Sequence, residues 1–408
     1  MYDWYKNMLK AYKYRLYPDK GQTILLAKTF GCCRKIYNHC LDFKNRRYAE
    51  YQQNVSRYEL SAMLTFLKST EEYQYLNEVN SQALQSELVH LDKAFTNFFQ
   101  HKGAYPTFKS KFERQAFACP QGVSVDFLNN IIKLPKLKSV GCKIHRKFFG
   151  IVKTCTVSKS TTNKYYVSVL VDAGAVLPKK KQVVEHTAIG IDMGIKSFLV
   201  SSDGTDIPNS QFYRQAEPRI KCLQRRVARK VKGSKNREKA KLAVSVAHEK
   251  IRNRRSDFLH KLSTNLIKNH DTIFVEDLNV KGMLKNHCLA KSIADVSWSE
   301  FFRMLAYKAD WYGKNVLEIG RFEPSSKMCG CGVVNSELTL ADRVWTCKSC
   351  GAVNQRDLLA AQNIKKFGLL GLKYKTRTDS SVEPVELSAL AGAVKQEHTT
   401  RKSRSPRL

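Results

Sequence analysis

Residues 324–364 read PSSKMCGCGVVNSELTLADRVWTCKSCGAVNQRDLLAAQNI. Two close cysteine pairs, Cys329-Gly330-Cys331 and Cys347-x2-Cys350, are followed by an acidic residue, Asp357, at the head of an apolar run. Paired cysteines of this kind turn tightly and present four thiolates to one tetrahedral zinc ion. The second pair has the regular spacing. The first is one residue short, and Gly330 is expected to permit the tighter bite. No histidine lies nearby and no ligand position is spare, so the expected zinc is structural; free thiols are the plainer reading. Asp357 is expected at the third position of a helix capped by Asn354, where an acid also favours the helix dipole.

Working outward, two further acids end apolar runs. TAIGIDMG (187–194) is a buried strand carrying Asp192 between Gly190 and Gly194, small neighbours that would let a nucleic-acid backbone approach. DTIFVEDL (271–278) is another, ending in Glu276. Each acid has a plainer reading: Asp192 as a strand end before a glycine turn, Glu276 as a solvated strand end. Asp277 and Asp295 are weaker candidates. In chain order, however, Asp192, Glu276 and Asp357 offer three hard oxygen ligands on separate elements. Such a set can hold two Mg²⁺ ions about 4 Å apart, one activating water and one stabilising a leaving 3′ oxygen.

The composition supplies the substrate class. Seventy Lys+Arg face 36 Asp+Glu in 408 residues, a net charge of +34. Charge of that size calls for a polyanion, and nucleic acid is the default partner. Apolar residues make up 43%, enough for real cores in two or three domains. No apolar run approaches the roughly 20 residues of a membrane span, and the N-terminus lacks a signal-peptide pattern. A cytoplasmic or nucleoid-associated protein with reduced cysteines is expected. Cys32, Cys33, Cys40, Cys119, Cys142, Cys155, Cys222 and Cys288 are scattered as core residues are.

A short strand is expected at 9–17, then helices over about 22–41, from Ser56 with its Ser-x-x-Glu59 capping box, and over 81–99. Strands follow from 114 to 172, with Asn163-Lys164 turning a hairpin. The run PKKKQ (178–182) reads as a linker. Beyond it come two strands with an Asp203-Gly204 turn, long basic helices broken at Gly233-Ser234, the strand at 271–278, a helix capped by Ser297-x-x-Glu300 with Trp298, Phe301, Phe302, Leu305 and Tyr312 buried, and another strand. After Lys375 the sequence is polar and is expected to be disordered.

RIKCLQRRVARKVKGSKNREKAKLAVSVAHEKIRNRRSDFLHKL (219–262) carries an apolar stripe and a cationic face. Arg225, Arg226, Arg229, Lys230, Lys235, Arg252, Arg254 and Arg255 are candidate phosphate contacts, since too few acids are interleaved to pair them within the helix. A solvated helix face is the plainer reading.

The segments YRLYPDKGQ, GCCRKIYNHCLDF, AFTNFF, YPTFKSK, GIDMGIKSF, FVEDLNV, SIADVSWSEFFRMLAYKADWYG, PSSKMC and RDLLAAQNI, in this order over about residues 9–370, resemble the TnpB (OrfB) family of transposon-encoded RNA-guided nucleases, relatives of compact type V CRISPR effectors. The resemblance implies an α+β multidomain chain. Its parts are a wedge β-barrel (1–20 and 103–178), an inserted helical recognition domain (21–102), and a RuvC-like, ribonuclease-H-type α/β nuclease (179–325 and 353–372) with a basic hairpin (214–270). A zinc-ribbon insert (326–352) and a disordered tail (373–408) complete it. It implies Asp192, Glu276 and Asp357 as the catalytic, Mg²⁺-binding triad, a guide RNA made from the transposon end, and a double-stranded DNA target cut by one site. It places Gln82 and Gln85 where the family reads a short target-adjacent motif, although an exposed helix surface is an equal reading. Base pairing would then supply specificity while the protein reads backbone shape. Gln355 and Leu359 stand where the family usually has Asp and Asn, and Met8 aligns with the usual family start. The alternatives are a nuclease-silent RNA-guided repressor, a CRISPR-associated effector of the same build, and an RNA-independent resolvase-like nuclease.

Overall fold

The computed structural model describes residues 7–339 and 341–378. The chain divides between Val176 and Leu177 into two compact units.

The first unit opens with strand β1 (Asn7–Tyr17), then helices α1 (Lys20–Tyr51) and α2 (Arg57–Ser69), a 3-10 segment (Glu71–Glu78) and α3 (Ser81–Phe99). The expected capping box forms, with Ser56 and Glu59 bonding reciprocally, and Asn80 caps α3 by accepting from the Gln82 N–H. Helix α1 runs ten residues past the expected Leu41, closing at Gln52 in the left-handed region (φ 55°). The strands β2 (Gln115–Cys119), β3 (Ser124–Asp126), β4 (Ile131–Leu134), β5 (Lys138–Lys143), β6 (Ile151–Lys159) and β7 (Tyr165–Val176) follow. They join β1 in one antiparallel sheet of order β2-β6-β7-β1-β5-β4-β3. Among the described residues no ladder joins β2 to β3. Helices and sheet share one apolar core, in which Leu26, Phe30, Leu84 and Leu88 meet Phe117, Val157 and Val169. Cys32, Cys33, Cys40, Cys119, Cys142 and Cys155 are buried in it, as expected; Cys222 and Cys288 are exposed.

The second unit has strands β8 (Ala188–Met193), β9 (Ser197–Ser201) and β10 (Asp206–Pro208), then helices α4 (Phe212–Ala228) and α5 (Lys235–Asn269). Ser234 caps α5, so the break falls where the sequence places it. Next come β11 (Thr272–Val275), α6 (Val280–Met283), α7 (Ala290–Val296), α8 (Trp298–Tyr312), β12 (Asn315–Glu318), β13 (Val344–Thr346), β14 (Val353–Gln355) and α9 (Arg356–Thr378). The sheet order is β10-β9-β8-β11-β12, with β8, β11 and β12 parallel and β9 and β10 antiparallel to their neighbours. One face packs on α5 and α8 through Phe198, Leu259, Ile267, Phe301 and Leu305. The other packs on α9 through Ala188, Phe274, Ile364 and Leu369.

Two expectations about α8 do not hold. Ser297 adopts a left-handed conformation (φ 61°) and makes no side-chain cap, because the same residue also closes α7. Tyr312 is exposed, since it falls on the last residue before the Gly313 stop. Helix α9 continues through 373–378, where the tail was expected to begin; the rest of that expected tail, from 379, lies outside the described residues, as do residues 1–6.

Candidate functional site

Side-chain alternation along two strands decides which residues face α9. On β8, Ile189, Ile191 and Met193 enter the α5–α8 core, which leaves Ala188, Gly190 and Asp192 facing α9. On β11, Ile273 and Val275 enter that core, which leaves Phe274 on the α9 face, and Glu276 follows the strand end. The two strands are parallel with Ile191 opposite Val275. One step further, Asp192 lies near the end of β8 and Glu276 directly follows β11, at the carboxyl ends of neighbouring strands.

Helix α9 brings the third acid. It starts at Arg356, so Asp357 is its second residue and Asn354 belongs to β14 rather than to a cap. Instead the Asn354 amide donates to Cys329 Sγ at 3.5 Å. The burial of Asp192, followed by the charges of Glu276 and Asp357, pushes its carboxyl up to about 7. Arg356 and the Met193 N–H oppose the shift. The charges of Glu276 and Asp357 thus act on Asp192 from close by.

Each of the other two acids is engaged by a neighbour that sequence patterning does not reveal. Ser325 Oγ donates to Glu276 Oε1 at 2.5 Å. Arg343 Nη1 reaches both oxygens of Asp357, at 3.1 and 3.3 Å. The buried Asn363 amide of α9 donates to Ser325 O (2.7 Å) and Met328 O (2.6 Å), which fixes the loop carrying Ser325. Among the described residues, the four cysteines are the one group of three or more His, Cys, Asp and Glu whose ligand atoms gather as a metal site needs. Of the weaker candidates, Asp277 pairs with Arg321 (2.6 Å). Asp295 is buried, accepting from the Tyr213 N–H and pairing with Arg255 (2.7 Å), a structural anchor for the start of α4.

The four sulfurs of Cys329, Cys331, Cys347 and Cys350 all lie within 4.8 Å of one another. The Cys329–Cys350 and Cys331–Cys347 separations are both 3.7 Å. Zinc–sulfur bonds of about 2.3 Å in a tetrahedron put sulfurs about 3.8 Å apart, so the donor set fits one such ion. Backbone N–H groups of Cys350 and Ser349 aimed at Cys347 Sγ bring its thiol down to about 6, favouring the thiolate a metal needs. The shortened first pair closes without using Gly330, which has an ordinary φ and open space about it. The left-handed residue is Gly332 (φ 91°), whose N–H bonds to Cys329 O. The cluster also supports the acids. Leu359 packs among Cys329, Leu338, Trp345 and Cys347, and the Arg356 N–H bonds to Arg343 O.

Of the basic candidates, Arg225, Arg226, Arg229, Lys230, Lys235, Arg252 and Arg254 are exposed. Arg255 is not among them, because Asp295 holds it. Gln82 donates to Gln121 (3.0 Å) and Gln85 pairs with Ser61, along a cleft of about 390 Å³ that Arg57 and Tyr58 also line.

Three family descriptions match the chain: OrfB_IS605, "Probable transposase", over residues 166–287; "Cas12f1-like, TNB domain" over 298–364; and "Helix-turn-helix domain" over 8–53. The last span is here a strand and one continuous helix. A Streptomyces pristinaespiralis protein named "Putative RNA-guided DNA endonuclease" is 39% identical over 99% of this chain and all of its own length. An Escherichia coli protein named "Putative RNA-guided DNA endonuclease InsQ" is 32% identical over 88% of this chain and 92% of its own. The protein in a solved Cas12f1–sgRNA–target DNA complex shares the fold with a TM-score of 0.55, at 15% identity, over 88% of this chain and 99% of that one. No helix among the described residues is long and apolar enough to cross a membrane.

Proposed function

Because this chain belongs to the TnpB (OrfB) family, we propose that it is an RNA-guided endonuclease that cuts double-stranded DNA at a site built from Asp192, Glu276 and Asp357. The observation that carries the reading is the convergence of these acids: two on adjacent parallel strand ends and one on the helix that crosses them, close enough to push the Asp192 carboxyl to about 7. Three acids with that mutual repulsion form a site short of cations, and hard oxygen donors suit Mg²⁺. Two bound Mg²⁺ ions would supply an activated water and charge stabilisation for the leaving oxygen. The protein's part is to hold the carboxylates. The neighbouring strand ends hold Asp192 and Glu276, Ser325 orients Glu276, and Arg343 pairs with Asp357. The sheet order, three parallel strands flanked by an antiparallel pair, agrees with a ribonuclease-H-type core.

The four cysteines hold a structural zinc. The exposed cations of α4 and α5, Arg225, Arg226, Arg229, Lys230, Lys235, Arg252 and Arg254, neutralise phosphates of guide RNA or target. The amide-lined cleft at Gln82, Gln85 and Gln121 reads base edges of the target-adjacent motif, since a carboxamide can bond an adenine edge with two hydrogen bonds.

The test is to sequence the RNA that copurifies with the full chain, then offer a DNA duplex matching its variable 3′ end in the presence of Mg²⁺. One structured RNA and cleavage that Asp192→Asn abolishes, with binding retained, supports the reading. Random RNA fragments, or equal cleavage by the variant, would sink it.

A further inference from the structure

Phe322 has 94% of its surface exposed, the largest exposure of any bulky apolar side chain among the described residues. A single exposed aromatic residue is ordinary on a protein surface. What sets this one apart is how firmly the chain on both sides of it is tied to the acidic strand ends. On one side, the Ile319 N–H bonds to Val275 O at 2.9 Å, and Arg321 pairs with Asp277 at 2.6 Å. On the other, Ser325 donates to Glu276, and its carbonyl is held by the buried Asn363 amide. Between them, Glu323 N–H to Gly320 O (3.3 Å) and Ser325 N–H to Glu323 O (2.8 Å) close a tight turn with Phe322 at its tip. Leu128 and Phe149 are nearly as exposed, and both belong to the first unit.

The distance is short. Three residues of chain reach at most about 11 Å, so the Phe322 backbone lies within the span of about three stacked bases of the residue touching Glu276. Carboxylates and their cations grip only the phosphate, and every phosphate of a strand looks the same to them. A rigid, flat apolar face beside them grips a base, and it does so for any sequence because every base has a π-face. Arg321 cannot take that part, since Asp277 occupies it.

We propose that Phe322 stacks on an unpaired base of the DNA strand entering the carboxylate site and so sets which phosphate is cut. This rests on the nuclease reading above. The role is that of a substrate-positioning residue.

The experiment uses the full chain with the RNA it retains and a matching duplex, comparing wild type, Phe322→Ala, Phe322→Trp and Asp192→Asn. Phe322→Ala is expected to melt at the wild-type temperature, bind the duplex equally, cut about tenfold more slowly under single-turnover conditions, and spread its cuts over neighbouring phosphates. Phe322→Trp is expected to restore rate and position. A scan of single abasic sites along the cut strand should show one position that slows wild type and leaves Phe322→Ala unaffected. Wild-type rate and cut position in Phe322→Ala, or an abasic scan that is the same for both proteins, overturns the proposal. If Asp192→Asn is inactive in that experiment, the nuclease reading survives alone. If Asp192→Asn cuts as wild type does, both fall.

Discussion

Gly190 and Ala361 stand so close that a Cβ on Gly190 would sit 2.2 Å from the Ala361 carbonyl oxygen and 2.6 Å from the Lys365 backbone N. The absence of a side chain there lets α9 lie directly on β8, two residues before Asp192 and four after Asp357. Gly190→Ala should therefore shift the helix and separate the two acids. The expected cost is about 1–3 kcal/mol of stability, as for other overpacked contacts, with cleavage reduced far beyond the unfolded fraction. Thermal melts alongside single-turnover cleavage check this; unchanged cleavage at a normal melting temperature would refute it.

Gly190 also shows what sequence can and cannot convey. The glycine was legible, and its expected use, room for a nucleic-acid backbone, was wrong: the backbone that fills the space is the protein's own. The strands were legible in AIGIDM and TIFVE, and they suffice to put Asp192 and Glu276 at strand ends. Ser325, Arg343 and Asn363 were not, because each acts through a contact between segments far apart in sequence, and no periodicity marks such a residue. Ser297 misled for a related reason. A local Ser-x-x-Glu pattern states a preference, and here the tight α7–α8 junction overrode it.

Metal and proton compete at Asp192. Its carboxyl, pushed to about 7 by burial and by Glu276 and Asp357, lies above the ordinary carboxylate value near 3.9 of an unfolded chain. The folded, metal-free protein thus binds more protons than the unfolded chain between about pH 4 and pH 7. This group's contribution to stability is retained below that window and declines as pH rises through it. Mg²⁺ should raise the melting temperature more at pH 7.5 than at pH 5.5, because at the lower pH it must displace a proton. Equal shifts at both pH values would contradict the assignment.

Arg225, Arg226, Arg229 and Lys230 are exposed on one segment at the end of α4, whereas Arg255 is tied to Asp295. Replacing the four by Gln should weaken RNA binding and flatten its dependence on log salt by up to about 3 units, at about 0.7 per lost single-strand contact. Arg255→Gln should leave that slope alone and lower the melting temperature instead, since it strands the buried Asp295 carboxylate. A salt titration of RNA binding with both proteins distinguishes the two roles.

Arg343 joins the cysteine cluster to the acids. It precedes β13, whose Trp345 packs with Cys329 and Cys347, and it contacts Asp357 across the start of α9. The cluster is thereby a scaffold for the third carboxylate even though no sulfur touches it. If the cysteines hold the proposed zinc, elemental analysis should find about one zinc per wild-type chain and none in Cys347→Ser, whose loosened scaffold should cut at least tenfold more slowly while RNA binding persists. Arg343→Ala should keep the zinc and reduce cleavage as well, because Asp357 then loses the cation that orients it. Full cleavage by a zinc-free Cys347→Ser protein would show instead that α9 alone positions Asp357. The Gly190 contact and the Asn363 bonds to the Ser325 loop would then be the features that hold the site together.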